Sequence, residues 1–221
     1  QLDADVIARE VPSQRVIELV ICPPDARKHL SRPVLNLALV IDRSGSMSGE
    51  KLEYVKRAAI HVLDLLQERD SVAIVAYDSD VTLVSPSVAV TPATRAELKA
   101  KVQAIRSDSM TNLSGGWLRG CEEVAAAISE GSVNRVLLLT DGLANVGITD
   151  LEELGMHAGQ LLLRRVATST LGVGHGFNEH LLEHMANQGG GRFYFIATPR
   201  EIPVIFESEF QELTSITARN V

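Results

Sequence analysis

Short apolar runs alternate along the chain with longer segments in which apolar residues recur at spacings of three and four. Five of these runs have the length of a buried strand, and they cover residues 34–41, 71–77, 135–140, 167–173 and 192–197. Nearly continuous apolar runs of this length are typical of strands that are covered on both faces, as in a parallel sheet. The pattern therefore predicts a buried, mainly parallel sheet.

The segments between these runs have the periodicity of amphipathic helices. In the first of them, apolar residues at spacings of three and four form a single stripe, made of Leu52, Val55, Ala59, Val62 and Leu66. Similar patterns occur near 95–105, 118–128, 150–164, 178–187 and 200–215. Strands that alternate with helices in this way predict an α/β domain with helices on both faces of the sheet.

Two segments depart from this alternation. Val81 to Val84 follows Tyr77 after a short "DSD" turn, which predicts a hairpin and one antiparallel edge strand. Near the N-terminus, Arg15 to Ile21 is strand-like and is stopped by "CPPD". We therefore expect an N-terminal edge-strand extension over residues 1–33 and a single domain over residues 34–221.

Composition and charge exclude several classes of function. The chain has 221 residues and a formal net charge of −7, and no basic stripe is available to neutralise nucleic-acid phosphates. No apolar run approaches the roughly 20 residues that a membrane span requires. The two cysteines, Cys22 and Cys121, are predicted to be buried thiols in a reduced protein. Because the sequence also shows no signal peptide, a cytoplasmic location is expected.

Polar residues follow the predicted strands at three points. Asp42, Ser44 and Ser46 follow the first central strand, Thr111 precedes a helix, and Asp141 follows "RVLLLT". In open α/β sheets, ligands bind beyond the carboxyl ends of the strands. Alternate residues of an extended segment point to the same side, so Asp42, Ser44 and Ser46 are expected to converge.

Each of these residues also has an ordinary structural interpretation. A serine or threonine before a helix often caps it, and "TDG" after a strand is a common turn. On this interpretation Ser48 is predicted to cap the helix that follows it. An aspartate with two serines at alternate positions is not needed for capping, however. Together with a threonine and a second aspartate it forms an all-oxygen set, which suits a hard divalent cation such as Mg²⁺.

The motif "DRSGSM" resembles the Asp-x-Ser-x-Ser sequence of the metal-ion-dependent adhesion site in von Willebrand factor type A domains. Thr111 and the Asp141 of "LLLTDG" lie where that family has its two remaining ligand positions. "DGLANVGIT", "LGVG" and "GGGRFYFI" resemble bacterial members and the inter-alpha-trypsin-inhibitor heavy chains. The resemblance implies a Rossmann-like, doubly wound sheet of six strands in the order 3-2-1-4-5-6, with strand 3 antiparallel.

The resemblance also implies a role for each residue of the motif. Ser44 and Ser46 would bind the metal directly, Thr111 directly or through water, and Asp42 and Asp141 through water. The cation would be Mg²⁺, Mn²⁺ or Ca²⁺, and it would bridge to an acidic residue of a partner protein, in a binding module without enzymatic activity. In the family, the C-terminal helix shifts when ligand binds; here that helix contains Ile205, Phe206 and Phe210.

The loop before Thr111 departs from the family pattern. Many relatives have glycines there, whereas this chain has Ser107, Asp108, Ser109 and Met110. We therefore expect a stiffer loop and an additional carboxylate, that of Asp108, near the ion.

Two kinds of catalysis are alternatives to a binding site for the same sequence. A serine nucleophile requires a histidine base, and no Gly-x-Ser-x-Gly elbow is present. "HLLEH" fits the inverted zinc-protease pattern, with His180 and His184 on one helix face, Glu183 between them and Glu201 as a candidate third ligand. This leaves two alternatives to the binding module: a zinc-dependent hydrolase and a metal-free structural scaffold.

Overall fold

Six strands and six α-helices make up the part of the chain that the structure, a computed structural model, describes, namely residues 32–108 and 110–214. The strands are β1 (Leu35–Asp42), β2 (Ser71–Tyr77), β3 (Val81–Ala89), β4 (Val133–Thr140), β5 (Ala167–Val173) and β6 (Gly190–Ile196). The helices are α1 (Glu50–Leu65), α2 (Pro92–Ala104), α3 (Leu113–Ala126), α4 (Leu151–Leu163), α5 (Glu179–Gln188) and α6 (Ile202–Thr214).

The strands form one sheet in the order β3-β2-β1-β4-β5-β6. Every pair is parallel except β2 with β3, which is antiparallel. The predicted strand order and the antiparallel edge strand are both confirmed. β3 is longer than the predicted Val81 to Val84, because it continues through Pro86 to Ala89. An edge strand tolerates proline, and its register is irregular near Ser85.

Alternate residues of β1 point to opposite faces of the sheet, and a separate hydrophobic core covers each face. Leu37 and Leu39 pack with α1, α2 and α6, whereas Ala38 and Val40 pack with α3, α4 and α5. The predicted helices on both faces are therefore confirmed. Trp117 is fully buried in the second core, and its indole N–H donates to the Thr168 hydroxyl at 3.1 Å.

Two glycines allow α3 to approach the sheet closely. A Cβ atom at Gly116 would lie 2.3 Å from the ring of Tyr77, and one at Gly120 would lie 2.3 Å from Val40 Cγ2. Any larger residue would push the helix away from β1 and β2. This close packing places the beginning of α3, and Thr111 just before it, beside the carboxyl ends of those strands.

The predicted cap at Ser48 is wrong. After β1 the chain makes a single 3-10 turn, Gly45–Met47, and the Ser48 N–H bonds to the Gly45 carbonyl at the end of that turn. The N-cap of α1 is Gly49, which turns the chain with a φ of 76° and has no side chain to offer. Glu50 and Glu53 in the first turn instead stabilise the positive end of the helix dipole.

The predicted N-terminal strand, Arg15 to Ile21, and Cys22 lie outside the described residues, so the boundary between residues 1–33 and 34–221 stays a prediction. Cys121 is buried as predicted, and burial raises the pKa of its thiol. Among residues 32–108 and 110–214, no helix is both long enough and apolar enough to cross a membrane.

Candidate metal site

Asp42 is the last residue of β1, and its carboxylate is fully buried. The Ser44 N–H donates to one carboxylate oxygen at 2.9 Å. The Thr140 hydroxyl, at the end of β4, donates to the other at 2.6 Å, and the Tyr77 hydroxyl, at the end of β2, donates to the same oxygen at 3.3 Å. Donors at the ends of three adjacent strands therefore fix the orientation of this carboxylate.

Burial is the main influence on the protonation of this group. It raises the pKa of Asp42, the hydrogen bonds from Ser44 and Thr140 act in the opposite direction, and the nearby charge of Asp141 adds to the rise. The pKa of Tyr77 lies well above its ordinary value, first because of burial and then because of the charge on Asp42. Tyr77 therefore stays protonated and acts as a donor. A cation near Asp42 would favour the ionised carboxylate.

Ser44 and Ser46 present a pair of neutral oxygens beside Asp42. Ser44 is fully buried and Ser46 is exposed, and their hydroxyl oxygens are 3.2 Å apart. The turn that holds them packs through the buried side chain of Met47. The hydroxyl pair therefore connects the buried carboxylate to solvent.

Asp141 directly follows β4 and is also fully buried. Its Oδ2 atom lies 3.0 Å from the Lys51 ammonium, which extends from the first turn of α1. Its Oδ1 accepts a longer bond, 3.4 Å, from the Leu143 N–H. Its carbonyl accepts from the Asn178 N–H at 2.9 Å, which fixes the loop before α5 to the same end of the sheet.

Thr111 lies in the loop before α3 and is 3% exposed. The loop that follows Asp141 holds its backbone: the Thr111 N–H donates to Asn145 Oδ1 at 2.9 Å, and its carbonyl accepts from the Asn145 and Val146 N–H groups. The cap of α3 is Asn112, whose side chain accepts from the Gly115 N–H at 3.0 Å. The capping interpretation of Thr111 is therefore wrong.

We call Asp42, Ser44, Ser46, Thr111 and Asp141 the strand-end cluster. Hydrogen bonds join the first three directly, Thr140 joins Asp42 to the strand that precedes Asp141, and backbone bonds hold Thr111 against the loop after Asp141. Two carboxylates and three hydroxyls are all-oxygen donors, so the residues fit a hard divalent cation. Their assignment as metal ligands stays a prediction.

Asp108, predicted to bring a further carboxylate, is exposed, and its N–H donates to the Arg43 carbonyl at 2.9 Å. This bond ties the loop before Thr111 to the motif after β1. Arg43 itself pairs with Asp78, with 2.7 Å between their charged atoms. The loop is thus anchored at both ends, whereas the role of the Asp108 carboxylate stays a prediction.

The "HLLEH" segment lies on α5 and does not form a comparable cluster. His180 and Glu183 are exposed, and His184 packs against Gly155 of α4 with its Nε2 atom 3.8 Å from Glu152. The candidate third ligand, Glu201, instead accepts the backbone N–H groups of Ala197 and Thr198. Across residues 32–108 and 110–214, no group of three or more His, Cys, Asp or Glu side chains is placed to hold a metal ion.

The side chains that contact the strand-end cluster and that sequence reasoning missed are those of Lys51, Tyr77, Thr140 and Asn145. Tyr77 and Thr140 end apolar runs, and a polar atom at the end of a buried strand was the available signal. Lys51 had no such signal, because a lysine in the first turn of an amphipathic helix is usually solvated.

The fold and this arrangement place the chain in a known family. The model of the von Willebrand factor type A domain matches residues 36–208. The chain belongs to this family.

Relatives that span most of the chain include bacterial and animal proteins. YfbK of Escherichia coli, an uncharacterized protein, is 31% identical over 197 residues, which are 88% of this chain and 34% of that protein. Human inter-alpha-trypsin inhibitor heavy chain H3 is 35% identical over 162 residues, 71% of this chain and 18% of that protein. The resemblance to bacterial members and to the heavy chains is confirmed. The chain spans half or less of the relatives' length.

Solved structures show the same fold. A von Willebrand factor type A protein from Catenulispora acidiphila superimposes with a TM-score of 0.69 at 21% identity, over 83% of this chain and 43% of that one. Proximal thread matrix protein 1 of the mussel byssus, in a structure with a zinc-occupied metal-ion-dependent adhesion site, gives 0.66 at 18% identity, over 81% of this chain and 48% of that one.

Proposed function

We propose that the chain is a protein-binding module in which a divalent cation links the strand-end cluster to a carboxylate of a partner protein. Ser44, Ser46 and Thr111 would bind the cation, and Asp42 and Asp141 would hold its waters. Mg²⁺ is the proposed ion, with Mn²⁺ or Ca²⁺ as substitutes. The observation that supports this most strongly is the pair of buried carboxylates beside a buried hydroxyl, that of Ser44, which contacts the exposed hydroxyl of Ser46.

The chemistry of the donors explains why an acidic partner is expected. A cation held mainly by neutral hydroxyls keeps most of its charge, so it would attract a carboxylate at an open coordination position. The chain's own residues provide the rigidity. Thr140, Tyr77 and the Ser44 N–H orient Asp42, and Asn145 holds the Thr111 loop.

The surface around the strand-end cluster also supports a protein partner. Met110, directly before Thr111, is 53% exposed, and Leu143, two residues after Asp141, is 43% exposed. Large apolar side chains on the surface beside a polar site are typical of protein-protein interfaces, where they are buried on binding. We therefore propose a partner whose acidic residue is flanked by apolar ones.

Catalysis is not part of the proposal. The hydroxyl of Ser44 contacts that of Ser46. The histidines of "HLLEH" lie on α5, and within residues 32–108 and 110–214 no His, Cys, Asp or Glu side chain joins both of them in a group that could hold a metal ion. A metal-free scaffold is the remaining alternative, and it is separated from the binding module by experiment.

The first experiment measures thermal unfolding in chelator and in increasing Mg²⁺ or Mn²⁺. At a metal concentration of 100 Kd, binding to the folded state stabilises it by about 2.7 kcal/mol. Wild type is expected to show this rise and Asp42→Ala to lose it. Asp64→Ala, which removes an exposed aspartate of α1, is the matched control and should respond like wild type.

Ser46→Ala provides a second variant, because Ser46 is exposed and its replacement leaves the core intact. It should fold normally in chelator and bind metal more weakly. Wild type whose melting temperature is the same in chelator and in metal would contradict the proposal and favour the scaffold. The partner is then sought by affinity capture with wild type and Asp42→Ala in metal and in chelator, with metal-dependent capture by wild type alone as the expected result.

A further inference from the structure

The side chain of Lys51 brings a cationic group into direct contact with the strand-end cluster. Its ammonium lies 3.0 Å from Oδ2 of Asp141, and its side chain is 24% exposed whereas that of Asp141 is fully buried. The aliphatic part of Lys51 runs along the backbone of Gly174, where an added Cβ would lie 2.9 Å from Lys51 Cε. Gly174 has a φ of 73°, so a residue with a side chain would be strained there as well. The path of the lysine to Asp141 is therefore set by backbone packing.

The Asp141 carboxylate has fewer close donors than the Asp42 carboxylate, so its burial depends more on a single contact, the one with Lys51. Three donors reach the Asp42 carboxylate, at 2.6 to 3.3 Å. The Asp141 carboxylate accepts one short contact, from Lys51, and one long backbone bond of 3.4 Å. A buried carboxylate without a compensating charge or hydrogen bond is strongly destabilising. Lys51 thus supplies the positive charge that makes the burial of Asp141 tolerable.

We propose that Lys51 is an internal counter-ion that competes with the divalent cation for Asp141 and thereby sets the metal affinity of the strand-end cluster. This inference rests on the proposed function. A cation that binds near Asp141 is repelled by an ammonium already 3.0 Å from that carboxylate, and repulsion between such close charges is large in a partly buried site. The partial exposure of Lys51 gives its ammonium a route to solvent when metal binds.

The counter-ion has two opposite effects, which a single substitution separates. In chelator, Lys51 stabilises the fold by pairing with Asp141. In metal, it opposes binding. Lys51→Met keeps an aliphatic side chain against Gly174 and removes only the charge. It should therefore melt at a lower temperature than wild type in chelator, yet bind Mg²⁺ more tightly, by about tenfold or more.

The test is a titration of each variant with Mg²⁺ alone by isothermal calorimetry, together with thermal unfolding in chelator. Lys101→Met is the matched control, because it makes the same change of charge at a partly exposed lysine that pairs with Glu97 on α2. It should match wild type in both measurements. Lys51→Gln guards against unfolding of the methionine variant, because its amide can still donate to Asp141, and it should also bind Mg²⁺ more tightly.

Each outcome decides the proposal. Tighter binding by the neutral Lys51 variants than by wild type and Lys101→Met supports it, including a result in which only these variants bind at all. Unchanged or weaker binding by Lys51→Gln, with wild type binding Mg²⁺, overturns the counter-ion and leaves the metal site standing. Absence of Mg²⁺ binding by wild type and by every Lys51 variant overturns the proposed function and the inference together.

Discussion

Two groups of buried carboxylates in this protein are held in different ways. In the first, which we call the Glu209 network, Glu209 of α6 accepts from the Ser169 hydroxyl at 2.7 Å and from the Tyr194 hydroxyl at 2.8 Å, with the Arg135 guanidinium 3.8 Å away. The second group is the strand-end cluster, in which two buried carboxylates lie near the exposed hydroxyl of Ser46 and one partly exposed lysine, Lys51.

The difference lies in charge balance and access. The Glu209 network pairs one carboxylate with one guanidinium, and both side chains are almost completely buried. The strand-end cluster has two carboxylates, and Ser46 opens it to solvent. A buried carboxylate alone therefore does not indicate a functional site. The proposed metal site would require the second arrangement, excess negative charge with an opening to solvent, because an external cation could then complete it.

The largest expected effect tests the purely structural role of the Glu209 network. Glu209→Gln removes the charge that compensates the buried Arg135, and breaking a buried ion pair costs about 3–5 kcal/mol of unfolding free energy. Chemical denaturation measures this loss. Glu207→Gln, which changes an exposed glutamate two residues away, is the control and should be nearly neutral. If a folded Glu209→Gln protein lost the Mg²⁺-dependent rise in melting temperature, the purely structural role of the Glu209 network would be contradicted.

The next largest loss of stability is expected when one of two buried threonines, Thr140, is replaced. Thr140→Val removes the 2.6 Å bond to Asp42 and the acceptor of the Gly142 N–H. We expect a loss of about 2 kcal/mol, because hydrogen bonds to charged groups are worth more than neutral ones. Replacing a residue that orients a metal ligand typically lowers metal affinity by about 10–100-fold, so we expect Thr140→Val to bind Mg²⁺ more weakly to that extent.

Thr170→Val is the matched control for this prediction. Thr170 is also buried, and its hydroxyl donates to the Leu182 carbonyl at 2.7 Å, away from the strand-end cluster. Its replacement should cost about 1 kcal/mol and leave the Mg²⁺ affinity unchanged. Equal Mg²⁺ affinities of the two valine variants, measured by calorimetry, would contradict the orienting role of Thr140.

A smaller effect is expected at two tyrosines, each of which donates to a buried carboxylate. The pKa of both is raised, first by burial and then by the charge of the neighbouring carboxylate. Tyr77→Phe and Tyr194→Phe should each lower the unfolding free energy by about 1 kcal/mol. Only Tyr77→Phe should also weaken Mg²⁺ binding, because Tyr77 contacts Asp42 whereas Tyr194 contacts Glu209. An equal loss of Mg²⁺ affinity in Tyr194→Phe would contradict the expectation that only Tyr77 supports the metal site.

The smallest expected effect is the pH dependence of the metal response. Burial raises the pKa of Asp42 above its ordinary value of 3.8, so the folded protein takes up this proton at a higher pH than the unfolded chain. In chelator, the resulting stabilisation is complete below the unfolded pKa and is lost as the pH rises through the folded pKa. A bound cation requires the ionised carboxylate instead. The Mg²⁺-dependent rise in melting temperature should therefore shrink on acidification, and a rise that stays constant as the pH falls to the ordinary carboxyl range, about pH 4, would contradict this.

The Glu209 network also bears on the expected movement of α6. Phe206 is fully buried and Glu209 ties the helix to β4, β5 and β6. A shift of α6 along the sheet would have to break these bonds. The shift stays a prediction, and hydrogen exchange of residues 200–214 with and without metal and partner measures it. Equal protection in both states would contradict the shift.

The apolar pattern predicted most of the fold correctly. β2 and β5 have the predicted bounds, and the helices begin and end within a few residues of the predicted periodic segments, except α3, which begins earlier, at Leu113. These elements were predictable because burial on both faces of a sheet requires continuous apolar runs. The second half of β3 was not, since its polar residues and Pro86 are tolerated only because the strand lies at the edge. The caps at Gly49 and Asn112 depended on local backbone geometry.

The sequence by itself determined the order of the strands' apolar runs, the helical stripes and the positions of Asp42, Ser44, Ser46, Thr111 and Asp141 at the ends of elements. These features depend on local periodicity, which a linear pattern records. Only the tertiary structure decided that Tyr77 and Thr140 orient Asp42 and that Lys51 pairs with Asp141. Those contacts join residues far apart in the chain, and they exist because parallel packing brings the carboxyl ends of separate strands and the first turn of α1 to one place.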